Sequence, residues 1–107
     1  MRAWLLVLAL QLITTAALAQ VTGNLTGDPA AGRRLAEAQC SSCHAIGPGP
    51  RGPEAGAAPA FADVARMPST TALALQAFLR TPHAGMPDIA LTPAQLDDVV
   101  ALILSLR

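Results

Sequence analysis

Cys40-Ser41-Ser42-Cys43-His44 is the stretch from which the rest of the chain can be read. Two thiols three residues apart, with an imidazole directly behind them, form a tight constellation. Cys-x-x-Cys-His is the pattern of covalent c-type haem attachment. At a helix end each cysteine can form a thioether with one vinyl group of the ring. The next residue then turns its imidazole to the iron from the same side. Three other readings share the spacing. One cysteine pair with His44 and His83 makes up the number of ligands for a zinc ion. A redox-active Cys-x-x-Cys belongs beside a βαβ unit, and no strand pattern is visible. A structural disulfide across the short span is the third.

Toward the N-terminus, Arg2 precedes an unbroken apolar run over residues 3–10, extended by Leu12, Ile13 and residues 16–19. Ala17-Leu18-Ala19 puts small residues where a signal peptidase reads them, just before Gln20. This layout predicts a secretory signal peptide over residues 1–19. Gln11, Thr14 and Thr15 interrupt the run, which is shorter than the roughly 20 apolar residues of a bilayer span. An uncleaved anchor is the other reading, and only in that case is a membrane attachment expected. Export to the bacterial periplasm agrees with the motif, since haem is attached covalently outside the cytoplasm.

Cleavage after Ala19 takes 19 of the 107 residues and leaves 88. Residues 20–27 read as a flexible lead-in and 28–107 as one domain. Seven Arg balance seven acidic residues, there is no Lys or Tyr, and losing Arg2 brings the net charge to −1. Such a chain is too apolar for disorder and too weakly basic to hold a nucleic-acid backbone. Two cysteines exclude a multi-bridge secreted scaffold. Phe61 and Phe78 are the aromatics left after export. A domain of this size with so few large side chains needs a staple such as a metal or a bound cofactor.

The elements flanking the motif are helical. Asp28-Pro29 opens a helix to about Gln39, with Asp28 as N-cap and proline at the first position, where its missing N–H costs nothing. Gly32 and Ala36 fall on one face, small enough to admit another helix closely. Residues 47–60 carry four glycines and four prolines and read as a loop. A short helix over residues 61–65 turns Phe61, Val64 and Ala65 inward. Ser69 or Thr70 is expected to cap a helix over residues 71–79, with Leu75, Phe78 and Leu79 inward. Thr92 and Gln95 form a capping box for the last helix. Its apolar stripe is Leu96, Val99, Val100, Ile103 and Leu104. Asp97 and Asp98 favour the positive end of that helix and Arg107 the negative end. The expected fold is all-α: three main helices, a short one, and long loops.

These features together resemble a class I, mitochondrial-type cytochrome c of the small bacterial periplasmic kind. The matching stretches are residues 32–36, Cys40 to His44, Ala58-Pro59-Ala60-Phe61, Thr81-Pro82-His83-Ala84-Gly85-Met86-Pro87, and residues 97–104. The resemblance covers about 80 residues, nearly all of the expected mature chain. The resemblance implies a cytochrome c fold wrapped around one haem c per chain, attached through Cys40 and Cys43. It implies His44 as one axial ligand and a methionine from the loop before the last helix as the other. Met86, in a Gly-Met-Pro context, fits that role better than Met67, which follows the short helix and by phase is equally suited to core packing. His83 is an alternative donor at high pH or after loss of Met86, and otherwise a surface residue. The resemblance also implies a proline carbonyl accepting the Nδ1–H of the axial histidine. Pro59 matches that position, with Pro48, Pro50 and Pro53 as rivals. The aromatic pair usual where the first and last helices cross is replaced here by Ala36 and Leu102.

The implied function is electron transfer, not enzymatic catalysis. Iron cycles between ferric and ferrous, and a low-dielectric shell of Leu75, Phe78, Leu96, Val100 and Ile103 favours the reduced form. The expected protein is a monomer with a redox-protein donor and acceptor. A labile methionine bond would instead suit a gas-binding sensor or weak peroxidase. A small haem subunit of a larger dehydrogenase or oxidase is a further arrangement. No concentrated patch of one sign is evident, so docking is expected through an apolar rim.

Overall fold

The computed structural model describes residues 27–48, 58–83 and 85–107. The expected signal peptide, most of the lead-in and the centre of the glycine- and proline-rich loop lie outside them. The described residues contain four helices and no strand: α1, Pro29–Gln39; α2, Phe61–Arg66; α3, Ala72–Leu79; and α4, Pro93–Leu104. No helix among them is long and apolar enough to cross a membrane.

Three of the four helices start where a side chain takes free N–H groups; α2, with Ala60 at its cap, has no such bond. The Asp28 carboxylate accepts from Ala30 N–H at 2.8 Å, with Pro29 at the first helical position. Thr92 and Gln95 form the reciprocal box at the start of α4, each side chain bonded to the other's backbone N–H. α3 departs from expectation. Its cap is Thr71, which accepts from Ala74 N–H at 3.0 Å, and not Ser69 or Thr70. Thr70 is buried and its hydroxyl is already spent, donating to the Val64 carbonyl at 2.6 Å. That bond closes the C-terminal end of α2.

Among the described elements, α4 is the hub: α1, α2 and α3 all pack on it and not on one another. Leu96, Val99 and Leu102 are at most 2% exposed, and complete burial of such side chains stabilises by about 1.5–3 kcal/mol each. α1 and α4 cross most closely. A methyl group on Gly32 would overlap the Asp98 carbonyl and sit 3.1 Å from Leu102 Cβ. Small residues therefore do at this crossing what a pair of aromatics would otherwise do, by letting backbones touch. Gly27, at the end of the lead-in, already packs against the Asp97 carbonyl.

The two aspartates of α4 lie past its first turn and bond across the fold. Asp98 accepts from Asp28 N–H at 2.7 Å, and Asp97 from the Gln76 side chain at 2.8 Å. Arg107 likewise does more than face a helix end. Its guanidinium donates to the carbonyls of Ala65 and Thr70, tying the far end of α4 to α2 and the following turn.

Candidate functional site

With the helices gathered on α4, the space between α1, α3 and the two loops remains open. It forms a cavity of about 310 Å³. Leu35, Leu75, Leu79, Val99 and Ile103 supply much of its apolar wall. Leu96 and Val100, expected in that wall, are buried elsewhere in the core, and Val99 takes their place. Phe78 is 55% exposed and belongs to the cavity wall, not to the packed interior.

Cys40, Cys43 and His44 all line this cavity. Cys40 ends α1 as its C-cap, and a tight turn follows in which Cys43 and His44 N–H both return to the Cys40 carbonyl, at 3.1 and 2.9 Å. The turn brings both sulfurs and the imidazole to one rim. Both thiols are free; Cys43 is exposed and Cys40 half-buried. Burial pushes the Cys40 thiol above its ordinary value.

His44 is held from two directions. Its Nδ1 donates to the Pro59 carbonyl at 2.7 Å. A carbonyl only accepts, so this bond fixes the tautomer and leaves Nε2 as the nitrogen with a lone pair. The Phe61 ring lies 5.3 Å away, tilted by 49°. Phe61 N–H in turn donates to the Ala45 carbonyl at 2.9 Å, so the segment carrying Pro59 is stitched to the one carrying His44. Pro48 is exposed, and Pro50 and Pro53 fall outside the described residues.

Met86 lines the same cavity and Met67 does not. Met67 is 48% exposed at the end of α2, neither core filler nor part of the site. Met86 is presented by a turn in which its N–H donates to the His83 carbonyl at 3.3 Å. Gly85 takes a φ of +80°, a left-handed backbone that glycine adopts freely.

His83 was expected at the surface unless Met86 is lost. It is half-buried in the cavity wall, with Nε2 2.9 Å from Met86 Sδ and its ring 4.0 Å from that of Phe78. Loops carry no periodicity from which an inward face can be read. The available signal was its spacing, three residues before Met86 on a segment pinned by Pro82 and Pro87.

The alternative chemistries of the motif fare less well against this geometry. Among the described residues no three His, Cys, Asp or Glu side chains gather as a metal site, and no strand supports a redox-type βαβ unit. A haem c fits the donors present: two thiols and a lone-pair imidazole nitrogen on one rim, a thioether on the same wall, and aliphatic side chains between.

Comparison with known proteins points the same way. The family model described as "Cytochrome C oxidase, cbb3-type, subunit III" matches residues 27–103. Cytochrome c-552 of Bradyrhizobium diazoefficiens is 39% identical over 83 residues, covering 78% of this chain and 79% of that one. No solved structure matches.

Proposed function

We propose that this chain, which belongs to the c-type cytochrome family, is a single-haem electron carrier of the bacterial periplasm. When bound, haem c supplies an iron that alternates between ferric and ferrous states. Cys40 and Cys43 would hold it by thioethers, and His44 and Met86 would supply a nitrogen and a sulfur ligand to its iron. The observation that carries this reading is that these four side chains line one apolar cavity.

The remaining residues tune and protect the site. The Pro59 carbonyl draws on the Nδ1 proton of His44, which makes Nε2 a stronger donor and keeps the ring from rotating. The thioether of Met86 is neutral and favours the ferrous state over a second nitrogen ligand. Leu75, Val99 and Ile103 exclude water, and a low dielectric favours the less charged form. With His44 and Met86 both bound to the iron, no position would be left open for a substrate. The chain then exchanges electrons with a donor and an acceptor protein and does not itself transform a molecule.

The visible spectrum of the pure protein in both oxidation states tests this. A low-spin ferric form with a sulfur-to-iron charge-transfer band, and a mass one haem above that of the processed chain, is expected. A high-spin ferric form whose reduced state binds carbon monoxide at once overturns it. The description of the matched family, an oxidase subunit, favours a second arrangement in which the same site is held in a larger assembly. The size of the native species, purified alone or with a companion, separates the two.

A further inference from the structure

Two histidines border the cavity, and they are set in the same way. His44 donates Nδ1–H to a backbone carbonyl, that of Pro59, at 2.7 Å. His83 faces the carbonyl of Thr81 through Nδ1 at 2.9 Å. Nδ1 faces an oxygen and Nε2 a thioether sulfur, both acceptors; the carbonyl is the stronger, so in the neutral ring Nδ1 carries the hydrogen and Nε2 keeps a lone pair. Locking Nδ1 on a backbone carbonyl is how a metal-binding histidine has its tautomer and orientation fixed. The Phe78 ring, 4.0 Å away and inclined by 34°, holds the plane of His83 further. Its Nε2 lies 2.9 Å from Met86 Sδ, so a nitrogen and a sulfur donor occupy one spot on the wall.

We propose that His83 is a second axial ligand, placed to take the haem iron when the bond to Met86 is lost. The proposal rests on the haem reading given above. In the exchange the bond from Met86 Sδ to iron breaks and one from His83 Nε2 forms. Both donors are neutral electron pairs, and Nδ1 keeps its proton on the Thr81 carbonyl. No electron or proton is therefore transferred. The two donors are already adjacent, 2.9 Å apart. The iron stays closed to solvent, at a lower potential, since an imidazole favours the ferric state relative to a thioether.

Four haem-loaded proteins decide the matter: the wild type, Met86→Leu, His83→Leu, and the double variant. Leucine is close to methionine in volume, and circular dichroism checks that each is folded. Ferric spin state, the charge-transfer band and carbon monoxide binding are read on each. Wild type and His83→Leu are expected to be low-spin with the band. Met86→Leu is expected to be low-spin without it, with a lowered potential and resistance to carbon monoxide. The double variant is expected to be high-spin and to bind carbon monoxide readily. A Met86→Leu protein as high-spin as the double variant overturns His83 as a ligand and leaves His44 and Met86 in place. Loss of the band in His83→Leu also overturns it, because His83 would then support Met86 instead of replacing it. Absence of the band from the wild type overturns the His44–Met86 reading itself.

Discussion

The Cα of Gly32 rests against the carbonyl of Asp98, and nothing larger than a hydrogen atom fits between them. Glycine inside a helix costs about 1 kcal/mol relative to alanine, so an isolated α1 would gain from the exchange. In the folded protein the added methyl meets backbone, which cannot rotate away, and overpacking of this kind costs about 1–3 kcal/mol. Gly32→Ala is expected to lower stability in guanidinium unfolding of the haem-loaded protein. Gly47→Ala is the control, because a methyl there meets nothing within 4 Å. Equal midpoints for the two variants would show that the α1–α4 crossing is looser than described.

Arg107 supports the opposite end of α4. Its bonds to the Ala65 and Thr70 carbonyls are charge-assisted, and each such bond contributes about 1.5–3 kcal/mol when sheltered. Arg107 is exposed, so the lower figure applies to the pair together. Arg107→Ala should therefore cost about 1–2 kcal/mol in denaturant unfolding. Arg107→Lys should recover little of it, since one ammonium cannot reproduce the guanidinium fork. Full recovery by lysine would mean that charge alone matters here.

Folding should depend on the cofactor. Leu75, Val99 and Ile103 belong to the hydrophobic core and to the cavity wall at once. Without a ring to cover them, part of an already small core faces water, and domains of this size have only a few kcal/mol to lose. The Cys40→Ala, Cys43→Ala double variant should show little helix by circular dichroism and accumulate poorly after export. A cooperative thermal transition in that variant would refute the dependence.

Electron exchange with a natural partner should respond weakly to salt. Among the described residues lining the cavity, Asp88 carries the only fixed charge. Arg66 is paired with Asp63 at 3.1 Å and Arg107 is turned to carbonyls, so neither adds to a patch at the cavity. Steering requires concentrated charge of one sign, and screening acts only on what steering provides. The bimolecular rate is expected to change by less than about twofold between low and physiological ionic strength. A steep fall over that range would place a cationic or anionic docking patch near the site.

The ends of helices were the most legible part of the sequence, because a cap is a local event. Asp28-Pro29 and the Thr92–Gln95 box each need only a few consecutive residues to be recognised, and both stand where expected. The start of α3 was not legible for the opposite reason. Ser69, Thr70 and Thr71 all bear hydroxyls, and the choice among them is made by the distant Val64 carbonyl, which claims Thr70. Arg107 read as a partner for a helix dipole, yet its acceptors lie up to 42 residues earlier in the chain. His83 shows the same limit at the site. Its neighbour Met86 was marked by glycine and proline, whereas the inward turn of the imidazole is set by the Thr81 carbonyl and the Phe78 ring.

The bond between Asp28 and Asp98 joins positions 70 residues apart, and the cysteine motif lies inside the loop it closes. Bringing together the ends of a segment that long costs about 4 kcal/mol of chain entropy by loop-closure scaling. Among the described residues α1 packs on no helix but α4. On the export reading proposed above, a chain emerging N-terminus first would hold α1 and the two thiols that follow it in reach of whatever acts on them until α4 has also come through. The order of residues along the polypeptide becomes a clock, and the last helix is the hand that stops it.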